Sequence, residues 1–249
     1  TSSDPFDGFL VTSLLSDVSS AVILDRDGDF VWWHTLGDVS SLVPRARMSN
    51  DGQSVVYMWT SMPPPPQQKT TELVWVGLNG NLIDRVAIDN AHHDFELLPD
   101  GTIAILVSDT RIGAEGGEIV GDSIVEWNPD TGTLETIWSS WDTMPVPFSG
   151  VGPEAVMDWT HANALDHDPH RNTYSVSLFS LSTIVTIDRA TGEIVHQVGG
   201  YDSDFELLGT DNRFFDFQHQ FEFLDDHLLV FDNGLPETMA SRVVEFTLD

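Results

Sequence analysis

Residues 161–200 read HANALDHDPHRNTYSVSLFSLSTIVTIDRATGEIVHQVGG, and they contain four short runs rich in β-branched and apolar residues. Polar turns separate the runs, which occupy positions 161–166, 173–178, 183–188 and 194–198. Four consecutive runs joined by tight turns predict a four-stranded antiparallel sheet. A sheet of this kind is the blade of a β-propeller.

Similar modules lie on both sides of this stretch. Residues 93–139 contain a second four-run module, residues 45–88 contain a divergent copy, and about three runs lie at each end of the chain. Tight-turn pairs separate many of the runs: Asp27-Gly28, Asp51-Gly52, Asn79-Gly80, Asp100-Gly101, Thr131-Gly132 and Thr191-Gly192. We therefore predict an all-β protein, a single β-propeller domain over residues 1–249. It is of the six-bladed type, with about five blades visible.

A histidine begins the same short phrase three times: HDFELLPD at 93–100, HANALDHD at 161–168 and HQFEFLDD at 219–226. Equivalent positions in successive blades point to equivalent places in space. We therefore expect His93, His161 and His219 to converge at a central channel. His92 replaces His93 if the register slips by one residue. The alternative for each is a buried histidine that is satisfied by backbone carbonyls.

Composition excludes several classes of partner. The formal net charge is −30, from 40 acidic and 10 basic residues. Such a surface repels nucleic acid, so no nucleic-acid partner is expected. No apolar run reaches eighteen residues, so no membrane insertion is expected either. The acidic surface also indicates a salt-rich environment, because salt screens the self-repulsion.

The chain contains no cysteine, so neither a disulfide framework nor thiolate chemistry is available. We expect a periplasmic or secreted protein, although no signal peptide is visible at residues 1–20. The composition leaves the oligomeric state open.

Three convergent imidazoles support two kinds of chemistry. They can act as nucleophile, general acid and general base, with no cofactor. Alternatively, His93, His161 and His219 bind a divalent metal ion that activates water for ester hydrolysis, with Asp94 or Asp216 assisting. The long segment 141–159 is rich in aromatic residues and predicts a rim that faces the substrate, where Trp159 and Phe148 could stack on an aryl ring.

Several phrases resemble the arylsulfotransferase family of β-propeller proteins. They are DWTHANALDHD (158–168), VSLFSLSTIVTIDRATGEIVHQVGG (176–200), QHQFEFL (218–224), LLVFDNG (228–234) and SRVVEFTLD (241–249), with HHDFELLPDG (92–101) and ILDRDGDFVWWH (23–34) nearer the N-terminus. The resemblance implies transfer of a sulfuryl group from an aryl ester to a phenol through a sulfated histidine. By position it implies that His219 is the sulfated residue and that His93, His161 and Asn163 surround it.

One position departs from the family pattern. Where family members carry an arginine, this chain carries Phe179, and a phenyl ring cannot donate the paired hydrogen bonds that a sulfate-like anion accepts from a guanidinium. Arg213, or Arg45 or Arg47, could supply a cation instead. The loss also raises a third hypothesis, a propeller that binds a small molecule without turning it over. In either case the expected partner is a small aryl ester or phenol.

Overall fold

The structure, a computed structural model, describes residues 7–37, 40–63, 69–146, 151–208, 213–224, 226–235 and 240–248. Within those ranges the strands form five small sheets, in which all but one of the strand pairings are antiparallel. The fold class is therefore all-β of the propeller type, as predicted, with one sheet for each of the five blades visible in the sequence. No helix in these ranges is long and apolar enough to cross a membrane. The chain divides into two compact units, Thr1–Pro99 and Asp100–Asp249.

The first unit begins with a three-stranded meander of β1 (Leu10–Leu14), β2 (Ser20–Leu24) and β3 (Phe30–His34). In the second sheet, two short strands, β4 (Ser41–Leu42) and β5 (Ala46–Met48), pair with β6 (Ser54–Ser61), which is followed by β7 (Thr71–Gly77) and β8 (Leu82–Ala87). The last strand of this unit is β9 (Ala91–Leu97).

The second unit continues the pattern of hairpins. Its strands are β10 (Ile103–Ile112), β11 (Glu118–Asn128), β12 (Thr133–Ser139), β13 (Val156–Asp158), β14 (Ala162–Asp168), β15 (Thr173–Leu178), β16 (Thr183–Asp188), β17 (Ile194–Gly199), β18 (Gln220–Leu224), β19 (His227–Asp232) and β20 (Arg242–Thr247). One helical turn, α1 (Ser140–Thr143), follows β12, and a 3-10 turn, Phe179–Leu181, joins β15 to β16. Strands β14 to β17 form one complete blade, and β18 to β20 form a three-stranded sheet.

The X-Gly turns behave as the sequence predicts. All six glycines have positive φ, between 67° and 88°, a backbone conformation that side chains with a Cβ disfavour. At Gly192 a Cβ would also lie 2.5 Å from the carbonyl oxygen of Ile137, so this hairpin needs glycine for close approach as well. The turns set the lengths of the strands and thereby the blades.

Two segments differ from the sequence prediction. Residues 111–121 read as a long Gly-rich loop, but β10 and β11 pair as far as Ile112 and Glu118, which leaves only a short turn. The segment 141–159 is also more regular than expected, because β13 pairs in parallel with β11. Cross-strand pairing to a long apolar partner therefore outweighs the local turn composition.

Apolar side chains fill the interior of each unit. In the first unit Val55, Tyr57 and Val74 are fully buried, and Ala21 and Ile23 of the first sheet belong to the same cluster. In the second unit Ala164, Ile184 and Val198 cluster with Phe221 and Val230 of the last sheet. These residues alternate along their strands, so each sheet buries its face against a neighbour in its own unit.

A buried carboxylate ties β5 to β9 in the first unit. Asp94 is fully buried, and the guanidinium of Arg45 donates to both of its oxygens, at 2.7 and 2.6 Å. Arg47 donates to the same carboxylate at 3.2 Å. Two cations therefore compensate one buried charge, which would otherwise be costly.

We expect Asp94→Ala to lower the free energy of unfolding by about 3–5 kcal/mol, because it removes the buried carboxylate to which two partly buried guanidinium groups donate. Urea titration at neutral pH measures the change. Arg171→Met is the matched control, since Arg171 and Asp168 form an exposed pair and the expected loss is below about 1 kcal/mol. Equal effects of the two substitutions would contradict this account.

Candidate functional site

His161 lies in a backbone position that a buried carboxylate holds. Its φ is 48°, in the left-handed region that non-glycine residues seldom occupy. On either side of it, the Thr160 hydroxyl and the Ala162 N–H both donate to Oδ2 of Asp122, each at 2.6 Å. Asp122 is 1% exposed and lies on β11. A residue of β11 thus fixes the backbone of His161 just before β14 begins.

The His161 imidazole is paired with a second carboxylate. Its Nδ1 lies 2.5 Å from Oδ2 of Asp158, and about a third of the side chain is exposed. The hydrogen bond to Asp158 raises the pKa of His161, and the charges of Asp158 and Asp122 act in the same direction against the effect of burial. His161 is therefore biased towards the imidazolium form, which can donate a proton or stabilise an anion.

His219 is biased in the opposite direction. The backbone N–H of His219 donates to the Phe231 carbonyl at 3.1 Å, and the ring nitrogen Nδ1 lies 2.8 Å from Nδ2 of Asn233. Desolvation lowers the pKa of His219, and the nearby His161 lowers it further. A neutral imidazole is the nucleophilic form, so the two pKa shifts favour complementary roles for the two histidines.

Phe179 lies between the two imidazoles. Its ring centroid is 5.0 Å from that of His161, 5.1 Å from that of His219 and 5.2 Å from that of Phe217. The residue begins the 3-10 turn that follows β15. An apolar ring therefore touches both histidines at the position where the family resemblance implies an arginine.

Asn163 acts on the backbone next to His219. It is 6% exposed, and its Nδ2 donates to the carbonyl of Gln218 at 2.8 Å. The Gln218 side chain is fully buried and donates to the Thr183 carbonyl at 2.9 Å and the Ser177 hydroxyl at 3.0 Å. These bonds fix the chain that carries His219 against the fourth blade.

His93 belongs to the first unit. Its φ is 56°, and its Nδ1 lies 2.8 Å from Nδ1 of His92, with the two rings edge to face. The neighbouring arginines that we considered as cations are engaged with carboxylates, Arg45 with Asp94 and Arg47 with Asp94 and Glu96. The role of His93 stays a prediction from the sequence.

Backbone dihedral angles align the three histidine phrases, 93–100, 161–168 and 219–226, differently from their amino-acid sequences. The left-handed residue is His93 in the first phrase and His161 in the second, but in the third region it is Phe217, at φ 49°. In each case a buried residue follows: Asp94, Ala162 and Gln218. By this criterion His219 lies two residues beyond the equivalent position, so it reaches His161 from a different place on its blade.

Arginine is fully committed to ion pairs in this protein. All nine arginines lie in the described ranges, and each has a carboxylate within 4 Å. Arg213, our other candidate for a cation in the site, pairs with Asp216. Among the described residues, His161, whose pKa is raised, is thus the group near His219 that can carry positive charge without being an arginine.

The structure describes one of the two predicted stacking residues. Trp159 is only 5% exposed and packs edge to face on Trp141 at 5.4 Å, and its stacking on a substrate stays a prediction. Phe148 lies outside the described residues. Trp159 and Arg213 both line a cavity of about 1020 Å³ in the second unit, which is adjacent to Phe217.

The metal alternative finds no support in the geometry. In the part of the chain that the structure describes, no group of three or more His, Cys, Asp or Glu side chains is placed to hold a metal ion. The two acidic residues that were candidates to assist a metal, Asp94 and Asp216, instead bind arginines.

Sequence reasoning missed three residues of this site: Asp122, Asp158 and Asn233. Asp158 and Asn233 stand within the phrases DWTHAN and FDNG, which therefore contained a usable signal. Asp122 lies 39 positions before His161 and has no local pattern that marks it. Only the packing of one blade on the next reveals it.

Comparison with known proteins identifies the family. The model of the arylsulfotransferase (ASST) family matches residues 7–249, which is almost the whole chain. The protein belongs to the arylsulfotransferase family. At family level this supports an arylsulfotransferase-like function, as the phrases in the sequence imply. No curated protein sequence matches the chain.

Solved structures resemble the chain in fold alone. A protein of unknown function from Bacteroides caccae matches with a TM-score of 0.58 and 14% identity over 92% of this chain and 71% of its own. Hydrazine synthase of Kuenenia stuttgartiensis matches with a TM-score of 0.54 and 10% identity over 92% of this chain and 66% of its own. A luciferin-regenerating enzyme matches with a TM-score of 0.57 and 12% identity over 93% and 73%. The chain thus spans about two thirds to three quarters of these proteins.

We predict that Asp158→Asn lowers the pKa of His161, because it removes the carboxylate whose hydrogen bond raises that pKa. Titration of the imidazole proton signals by NMR measures the change. Asp168→Asn, which alters a half-buried carboxylate paired with the exposed Arg171, is the control and should leave the signal of His161 unchanged. An unchanged His161 titration in Asp158→Asn would contradict the assigned pair.

Proposed function

We propose that this protein transfers a sulfuryl group from an aryl sulfate to a phenol through a covalent intermediate on His219. The observation that carries the proposal is the contact of two imidazoles with one phenyl ring, with opposite shifts of their pKa values. Membership of the arylsulfotransferase family supports the reaction class. Hydrolysis is the same reaction with water as the acceptor.

In the first step a ring nitrogen of neutral His219 attacks sulfur in line with the aryl oxygen. An N–S bond forms, the S–O(aryl) bond breaks, and its electron pair leaves on the aryl oxygen. His161, as the imidazolium, gives its Nε2 proton to that oxygen, so a neutral phenol departs. In the second step the acceptor hydroxyl returns a proton to His161 and attacks sulfur, and His219 is released.

Asn233 selects the attacking nitrogen. Nucleophilic attack by Nε2 needs the tautomer with the proton on Nδ1, and a hydrogen-bond acceptor beside Nδ1 stabilises that tautomer. The amide nitrogen Nδ2 of Asn233 lies 2.8 Å from Nδ1 and would donate to it, so the carbonyl oxygen faces Nδ1 only when the amide is turned by half a rotation about its terminal bond. His219 then has its lone pair on Nε2.

His161 has a second role because Phe179 carries no charge. The oxygens of the sulfuryl group gain their stabilisation from donors placed around them, and the paired donors of a guanidinium are missing here. The His161 imidazolium, held by Asp158, supplies positive charge near His219. This arrangement accounts for how the site can use a sulfate ester without the family arginine.

His219→Ala should reduce turnover of a chromogenic aryl sulfate by about 10³-fold or more, since the nucleophile is lost. His227→Ala, which removes a histidine from the neighbouring strand of the same sheet, is the control and should retain full activity. Retention of activity by His219→Ala would end the covalent mechanism. A wild-type protein that binds an aryl ester but turns over none would favour a binding propeller instead.

The rate should follow a bell-shaped dependence on pH. The acidic limb reports protonation of His219 and lies below pH 6.5, because its pKa is lowered. The alkaline limb reports loss of the proton from His161 and lies above pH 6.5, because its pKa is raised. In Asp158→Asn the alkaline limb should move to lower pH while the acidic limb stays. A profile that is flat across neutrality would contradict the assignment.

A further inference from the structure

We propose that the cavity adjacent to Phe217 binds the aryl group of the acceptor, and that it favours phenols with a cationic or uncharged substituent over anionic ones. This inference rests on the proposed function and extends it to a substrate class. The cavity, of about 1020 Å³, lies in the second unit and is large enough for a substituted single ring.

The position of the cavity connects it to the histidine pair. Phe217 lines the cavity, and its ring lies 5.2 Å from that of Phe179, which contacts both imidazoles. Ser180 also lines it, and the hydroxyl of Ser180 donates at 3.0 Å to the carbonyl of Asp158, the partner of His161. Two residues of the cavity wall therefore contact residues that neighbour the imidazoles, Phe217 through Phe179 and Ser180 through the main chain of Asp158.

The apolar part of the lining suits an aromatic ring. Trp159 and Phe217 present ring surface, and Leu181 and Leu207 present aliphatic surface. Trp159 is buried against Trp141, so this wall is rigid before the ligand arrives. A preformed apolar pocket with a few polar groups is the usual environment of a small aromatic ligand.

The charges of the lining determine which substituent is accepted. Among the described residues, the charged side chains that line the cavity are those of two aspartates, Asp202 and Asp216, and one arginine, Arg213. Because Arg213 is paired with Asp216, an anionic substituent meets an unfavourable local charge, and the net charge of −30 adds to the repulsion. An ammonium substituent on the phenol is attracted by the same negative charge.

Three phenols of similar size test the charge preference: tyramine, 4-ethylphenol and 3-(4-hydroxyphenyl)propionate. We expect tyramine to bind most tightly and the propionate at least tenfold more weakly than tyramine, measured calorimetrically with His219→Ala so that no transfer occurs. Arg213→Gln should widen this ratio, because it removes the positive member of the ion pair. Tightest binding of the propionate would overturn the proposal.

Two neighbouring leucines test the location. Leu207 lines the cavity, whereas Leu208 is 81% exposed and does not. Leu207→Trp should weaken tyramine binding at least tenfold, and Leu208→Trp should change it less than twofold. Thr143→Trp, which fills the cavity from α1, is the second variant if Leu207→Trp does not fold. Equal effects of Leu207→Trp and Leu208→Trp, or none, would overturn the location.

The outcomes separate this inference from the proposed function. If the wild-type protein binds tyramine but transfers no sulfuryl group, and Leu207→Trp abolishes this binding, the proposed function is rejected and the proposed site is retained. Sulfuryl transfer whose KM for tyramine is unchanged in a folded cavity-filling variant would reject the site and retain the function.

Discussion

The hydrogen bonds that Asp122 accepts determine the rest of the site. A residue other than glycine is strained in the left-handed backbone conformation. His161 keeps this conformation because Thr160 and Ala162 both donate to one buried carboxylate, that of Asp122. Asp122 lies on β11 and His161 immediately precedes β14, so the contact between two blades sets the backbone conformation of His161. A loop alone would not hold it, because the energy that offsets the strain comes from burial.

Two histidines of the same residue type differ here because of their surroundings. Carboxylates on either side of His161 favour its charged form, whereas burial and the proximity of His161 favour the neutral form of His219. Phe179 does not cause this difference, because its ring lies against both imidazoles and limits the access of water to each, which lowers both pKa values. An arginine at that position could bind an anion, but its positive charge would also lower the pKa of both histidines.

The sequence contains most of the fold and part of the site. Strands β15 and β16 are found at the predicted bounds, because alternation and X-Gly turns are local signals. The histidine phrases directed attention to His161 and His219, which the structure brings together around Phe179. The sequence could not show that the left-handed residue of the third region is Phe217 and not His219, because φ is not encoded by a local residue pattern. The partner of Arg213 and the role of Asp122 depend on packing between distant segments, which no local pattern encodes.

The commitment of every arginine to an ion pair has a consequence for how the molecule responds to electrolyte. Pairs with a fully buried carboxylate, such as Arg45 with Asp94 and Arg242 with Asp232, are shielded from mobile ions, whereas exposed pairs such as Arg26 with Asp7 are not. Rising ionic strength therefore removes peripheral pairs and relieves repulsion among the surplus carboxylates, while the internal pairs persist. The internal pairs therefore hold the scaffold around the histidines together at salt concentrations that weaken the peripheral pairs.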